Sequence, residues 1–256
     1  MGKVTFPKIG EKHNFIPLIV AEHTLEGKER VPRRAVLIYS AAHFPEKLRK
    51  HLSLHKYNKG VDVSGAWKPS TYLTSDKKLL IIKLPAGAPS TAMAVEEARA
   101  NGAKEFLILG TAGGLRKELQ VADVVLCTGA VRDEGTSHHY IRESEYAFPD
   151  RRLTAKLERQ LIKNKIAFHK GTTWSIDAPF AETREEVKHY QKKGVLTVEM
   201  EAAALFAVAE KRRVKAAAIF TISDKLDKEW SGFQKEYKES GYDRLARIAK
   251  LFKDMK

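Results

Sequence analysis

The chain holds one cysteine, Cys127, in 256 residues. A single thiol excludes an intrachain disulfide and a cysteine-built zinc site. Its apolar setting, "DVVLCTGAV", makes it a small core residue rather than a nucleophile. No apolar run reaches the roughly 18 residues that a membrane helix needs, so no membrane partner is expected. The opening "MGKVTFPKIGEKHNF" lacks the apolar stretch of a secretory leader, and an intracellular, cytoplasmic protein is expected. Negative charge is scarce: 32 Asp and Glu face 46 Lys and Arg, a formal charge of +14. That balance suits either a nucleic acid or a small anionic substrate. The cations, however, lie in mixed-sign runs such as "EKLRKH", "REEVKHYQKK" and the stretch from Lys225 to Trp230, which read as solvated faces. Zinc-finger spacing, aromatic RNA-binding motifs, G-x-G-x-x-G, G-K-[ST] and Gly-x-Ser-x-Gly are all missing, and nucleic acid is not an expected partner.

What is present is an alternation of strands and helices. "AVLIYS" (35–40) reads as a buried strand and "FPEKLRKHL" after it as a helix with Leu48 and Leu52 inward. "KLLIIKLPAG" (78–87) is a second strand, and "PSTAMAVEEARANG" a helix capped by Ser90 or Thr91 and stopped at Asn101-Gly102. "KEFLILGTAGGL" follows as a strand and a glycine loop, then "VADVVLCTGAV" (121–131) as a strand, and a helix from about Asp150 to Lys165. "KGTTWSIDAPF", "REEVKHYQKKG", "GVLTVEM", a helix from Glu199 or Glu201, "VKAAAIFTISD" (214–224) and the amphipathic "YDRLARIAKLF" complete the chain. The expectation is one domain over 1–256, a three-layer α/β/α arrangement on a mixed, mainly parallel central sheet. Ligands in such sheets bind at the carboxyl ends of strands.

Four of those ends are chemically unusual. "GTAGGL" (Gly110 to Leu115) allows close approach to backbone, with Thr111 adding a hydroxyl, and is equally a tight turn. "TISD" puts Asp224 at the end of an apolar strand, where it is either a proton donor or a turn aspartate. "DEGTSHHY" pairs His138 and His139 with carboxylates but lacks a metal-ligand spacing, so no metal is expected and a polar ligand-binding loop is the better reading. "TVEMEAAAL" places Glu199 and Glu201 at a helix start, where the dipole alone favours acidic residues.

In this order, "GTAGGL", "SIDAPF", "VEMEAAAL" and "TISD" resemble the nucleoside phosphorylase-I family, over about two thirds of the chain from Ala86 onward. "RDEGTSHHY" and "WSIDAPFAET" look most like its uridine phosphorylase-like branch. The resemblance implies phosphate-dependent cleavage of a ribonucleoside, of uridine or a purine nucleoside, to free base and ribose 1-phosphate. It implies no metal or organic cofactor, phosphate as co-substrate, and a homo-oligomer, either a hexamer built as a trimer of dimers or a dimer. By this likeness Glu201 grips both ribose hydroxyls, Met200 packs on the sugar and Glu199 is a further ribose-site candidate. Asp224 assists departure of the base, Thr111 and Gly110 bind phosphate, and Gly113 contacts the base. Phe180 is the aromatic wall for the base or a core phenylalanine. His13 is a candidate donor to a neighbouring subunit's ribose site.

The chain departs from the family at the anion. The first strand ends "IYSAAHF", without the family's glycine and arginine, and Ile108 stands where a second arginine is usual. His43, Arg116 and Arg132 are the candidate replacements. Two other readings stay open: a nucleosidase, for which Glu46 is the only nearby glutamate to activate water, and a non-catalytic nucleoside-binding protein.

Overall fold

The computed structural model describes residues 12–24, 29–39, 44–57, 69–227, 229–233, 235 and 237–256. In chain order the elements are β1 (Arg34–Tyr39), α1 (Phe44–His51), β2 (Leu54–Lys56), β3 (Ser70–Thr74), β4 (Leu79–Leu84), α2 (Ala88–Ala100), β5 (Glu105–Gly114), β6 (Val124–Asp133), β7 (Tyr146–Ala147) and α3 (Arg151–Lys163). They continue with β8 (His169–Ile176), α4 (Arg184–Lys192), β9 (Thr197–Glu199), α5 (Ala202–Arg212), β10 (Lys215–Lys225) and α6 (Tyr242–Asp254).

The apolar runs of β1, β4, β5 and β10 are buried on both faces because helices cover both sides, as a sheet with crossover helices requires. Alternate residues divide the core. Leu37, Ile82, Phe106, Ile108 and Phe220 pack with Val95 of α2 and Leu205 and Phe206 of α5. Val36, Ile81, Leu107, Leu109 and Ile219 pack with Leu48 of α1, Leu157 of α3 and Leu245, Ile248 and Phe252 of α6. Leu251 of α6 packs against this second cluster and is only partly buried. Cys127 is fully buried, as its apolar setting implied.

The mixed α/β class is as expected, and the connectivity adds a feature the strand pattern did not reveal. β1 pairs in parallel with β4 and with the first half of β5, Arg34 to Leu37 against Glu105 to Ile108. β5 also runs parallel to β10 along its whole length, while β10 pairs with β6, β6 with β8, β8 with β9, and β9 with the end of β5. Those five strands close on themselves. The glycine stretch Gly110–Gly114 is therefore not a loop: it is the second half of β5, carried from the open sheet into the closed ring. Glycine suits that passage because side chains from β9 and from just past the end of β10 converge on it. A Cβ on Gly113 would lie 2.5 Å from Leu226 Cδ1 and 3.1 Å from Val198 Cγ1.

Helix boundaries differ from expectation at one functional point. Ser90 and Thr91 do not cap α2; Gly87 does, with Pro89 in the first turn. Both hydroxyls instead donate to the Gly87 carbonyl, at 2.8 and 3.0 Å. A proline early in the helix lacks the N–H that a cap would have to satisfy, so the start moves upstream of the hydroxyl residues. Asp150 does cap α3, accepting the Leu153 N–H at 2.7 Å. Among the described residues no helix is long and apolar enough to cross a membrane.

Candidate active site

β5 loses β1 as a partner after Ile108 and meets β9 only at Gly113. Between them one edge of Leu109–Ala112 carries no strand, a crevice of the kind that open α/β sheets use for ligands. Gly110 and Thr111 lie on that edge. Tyr39, the last residue of β1, closes its near side: a Cβ on Gly110 would be 3.7 Å from Tyr39 Cδ2. The Tyr39 hydroxyl is 2.9 Å from Thr91 Oγ1, so the phenol joins the crevice to the start of α2. Burial, and then the charge of Glu201, push its phenol well above the usual range.

At the far side β9 hands over to α5 through Glu199, Met200 and Glu201. The two glutamates, which look alike in sequence, have different tasks. Glu199 Oε2 accepts the N–H groups of Glu201 and Ala202, each at 2.8 Å, and so satisfies the first turn of α5. Its other oxygen accepts the Ser175 hydroxyl, and Ser175 Oγ in turn accepts the Ala203 N–H at 3.0 Å. Glu201 sits just ahead of α5, only 5% exposed. Its Oε1 accepts the Gly87 N–H at 2.7 Å and its Oε2 the Met200 N–H at 3.3 Å. The first of these bonds ties α5 to the start of α2, residues 114 positions apart. Met200 is partly exposed beside it.

Both carboxyls are raised above the ordinary range, mainly because burial disfavours their charged forms. Glu199 is offset by three donors, whereas Glu201 also feels the charge of Glu199.

Asp224 lies at the same end of β5 as β9, on the other edge of that strand. The β10 register slips between Ile222 and Asp224, setting Asp224 opposite Gly113. Such a bulge re-aims a side chain. The carboxylate lies over the glycine, with Oδ2 3.6 Å from where a Gly113 Cβ would be. It is 6% exposed, and both oxygens are engaged: Ser223 Oγ donates to Oδ1 at 2.5 Å and Trp230 Nε1 to Oδ2 at 2.8 Å. Glu182 faces it. Burial, the charge of Asp224 and that of Glu186 raise the Glu182 carboxyl to about 7. Phe180, in the short 3-10 turn Pro179–Ala181, is wholly exposed, which removes the core alternative for that residue.

Two of the anion candidates are committed elsewhere. Arg132 is buried and donates to Ser137 Oγ, to Ser144 Oγ and to the carbonyls of Arg142 and Ser144, organising the loop after β6. Arg116 donates to Glu118 and to the Gln191 carbonyl. His43 lies outside the described residues. Glu46 is exposed on α1, in the helical layer opposite to α2 and α5. The "DEGTSHHY" segment folds largely on itself: Glu134 is buried and accepts the Thr136 and Ser137 N–H groups. Among the described residues no group of three His, Cys, Asp or Glu is placed to hold a metal. Tyr39 and Trp230 were not singled out in the sequence. The first looks like one more apolar strand residue, and the second sits in a run read as solvated.

The chain has counterparts among known proteins. The guanosine phosphorylase of Halorubrum lacusprofundi is 34% identical over 176 residues, 68% of this chain and 73% of that one. The uridine phosphorylase of Treponema pallidum is 33% identical over 147 residues, 53% and 57% of the two chains. The crystal structure of a uridine phosphorylase from Vibrio fischeri shares the fold, with a TM-score of 0.74 at 23% identity over 91% of this chain and 94% of its own. The phosphorylase superfamily model matches residues 33–255, nearly the whole of the fold just described, and by that match the chain belongs to the phosphorylase superfamily.

Proposed function

We propose that the protein is a nucleoside phosphorylase, a pentosyltransferase that splits the N-glycosidic bond of a purine ribonucleoside with phosphate and acts in the cytoplasm. One observation carries the reading: Glu201 is a buried carboxyl fixed by two backbone N–H groups, at the mouth of the crevice that holds Gly110 and Thr111. Once ionised, a carboxylate is an acceptor only and takes two hydroxyl protons from a cis-diol at once. Glu201 therefore fixes the ribose, with Met200 against the sugar. Phosphate approaches from the Thr111 and Gly110 side, where Tyr39 borders Gly110 and its hydroxyl meets that of Thr91.

As the glycosidic bond breaks, positive charge grows on the sugar and its electron pair passes to the base. The ionised side chains beside the sugar favour that state more than the substrate. Asp224 and Glu182 lie at the base end and suit a 6-oxopurine, whose ring nitrogen takes a proton as it leaves. The likeness to a guanosine phosphorylase points the same way. Hydrolysis by water finds less support, since Glu46 lies in the opposite layer.

The test is release of base from guanosine, inosine, adenosine and uridine, each with and without phosphate. Expected is phosphate-dependent release with ribose 1-phosphate as product, fastest for a 6-oxopurine nucleoside. Free ribose formed without phosphate would make the protein a nucleosidase, and binding without turnover a nucleoside-binding protein.

The proposed assembly is a homo-oligomer. Ile16, Leu18 and Ile19 are 92%, 95% and 82% exposed, and Phe15 beside them is 61% exposed, an apolar stretch that a second copy would cover. His13, the candidate donor to a neighbouring site, belongs to the same segment. Light scattering should give a mass that is a multiple of 28.8 kDa; a monomer at micromolar concentration would end this assignment.

A further inference from the structure

Among the described residues, Trp230 is the one aromatic side chain that reaches Asp224 from outside the sheet. The chain leaves β10 after Lys225 and returns to it at Ser231, where the Lys225 N–H donates to Ser231 Oγ at 2.9 Å and the Ser231 N–H to the Lys225 carbonyl at 3.0 Å. This strap is thus pinned at its base. It carries an indole that is 63% exposed, yet the indole N–H is 2.8 Å from a carboxylate that is nearly buried. Phe233 meets the indole edge to face at 5.7 Å, and Gly232 between them has φ +71°, a left-handed conformation that glycine adopts without strain. Across the site, Arg184 reaches Glu229 at 3.3 Å and ties the strap to the segment after Phe180 and Glu182. Of two exposed rings, Trp230 thus reaches the Asp224 carboxylate and Phe180 lies two residues before Glu182.

Both Asp224 oxygens accept hydrogen bonds from the chain itself. Ser223 adjoins Asp224 in β10 and holds its oxygen from within the sheet, whereas the Trp230 bond comes from the strap outside it. A ligand group that engages Oδ2 must compete with the indole N–H.

We propose that Trp230 is a positioning residue and gate for Asp224: the indole N–H holds Oδ2 while the site is empty, and the polar edge of a purine base takes that oxygen over. The freed indole then covers the base. The proposal rests on the placement of the base at Asp224 made above. No bond is made or broken by Trp230.

Three tryptophans give three indole N–H signals in 15N-labelled protein, and the one lost in Trp230→Phe is that of Trp230. In unliganded protein this signal should move in Asp224→Asn, whether or not any nucleoside binds; an unmoved signal overturns the contact. Saturating guanosine or inosine should move it again, and an unmoved signal with bound nucleoside overturns the gate. Calorimetry without phosphate supplies the second readout. Trp230→Phe keeps a ring and removes the competing N–H, so purine nucleoside affinity should rise by about 3- to 10-fold. Trp230→Ala removes the cover as well, so affinity should fall by about 10-fold. A purely structural tryptophan would weaken binding in both variants, and that result also overturns the proposal. If no nucleoside binds the wild type, the functional reading fails and the gate with it, while the unliganded comparison still decides the strap.

Discussion

Glu201→Gln should lower kcat/KM for the preferred nucleoside by on the order of 100- to 1,000-fold. The size follows from what the amide can and cannot replace. Its oxygen will take the Gly87 N–H, the shorter of the two bonds at 2.7 Å, so that the opposition of donors falls on the longer contact, with the Met200 N–H at 3.3 Å. The NH2 group is then left where an acceptor for ribose is needed. Each hydrogen bond to a charged group is worth about 1.5–3 kcal/mol, and tenfold in rate is about 1.4 kcal/mol, so the weakening of two such bonds gives the stated range. Substrate lacking the 2′-hydroxyl supplies an internal control. The wild type should disfavour it by about tenfold or more, and the variant by only a few-fold. An equal penalty in both would take Glu201 off the ribose.

The same substitution should not unfold the protein, and pH shows why. Burial and the charge of Glu199 raise the Glu201 carboxyl above its unfolded value. Between those two values the folded state holds a proton that the unfolded chain has lost. Stability from this group is therefore complete below the ordinary carboxylate range, about pH 4.3, and is lost as pH rises toward the raised folded value. Glutamine carries no such penalty. The Tm of Glu201→Gln should exceed that of the wild type by a few degrees at alkaline pH, with the gap closing toward pH 4. A variant that is both inactive and less stable at every pH would mean that the substituted amide fails to keep the bond between α2 and α5.

The residues that could be read from the sequence are those whose role depends on near neighbours. The Glu-Met-Glu at a helix start, the aspartate ending an apolar strand and the buried Cys127 all show in short windows. Closure of the ring formed by β5, β10, β6, β8 and β9 does not, because it depends on pairing strands far apart, as in Asp224 opposite Gly113. That closure makes Gly110–Gly114 a strand rather than a loop. Glycines carry no alternation to read, while backbone pairing is indifferent to the missing side chains. The division of labour between Glu199 and Glu201 was equally hidden: it is set by Ser175 on β8 and Gly87 before α2, neither of which the local motif contains. Arg132 and Arg116 illustrate the reverse error. Lone arginines near a candidate anion site look available, but carbonyls of the folded loops had already claimed them.

Asp224→Asn should slow purine phosphorolysis by about 100-fold and leave uridine within about threefold. General acid assistance is typically worth 10²- to 10⁴-fold, and the lower end applies because Glu182, the second carboxyl at the base end, is untouched. The contrast between bases comes from the leaving group. A purine leaves with charge on an imidazole nitrogen that a base-side carboxyl can neutralise, whereas uracil spreads its charge over two carbonyl oxygens and needs another donor. Packing around the site makes the experiment interpretable. Asparagine has the shape of aspartate, and Ser223 and Trp230 both donate to the native carboxylate, at 2.5 and 2.8 Å. An amide can accept from only one of them with its oxygen, so its NH2 group turns toward the other and loosens that contact. Ser223 has another acceptor within reach, the Ala112 carbonyl at 3.4 Å, so the oxygen will stay with Trp230. The substitution then acts on the acid while the strap remains near its place, and KM for the purine nucleoside should change much less than kcat. Equal losses with purine and uridine would show that Asp224 shapes the site as a whole. No loss with either would remove it from the reaction and leave Glu182, the other carboxyl at the base end, as the group to replace next.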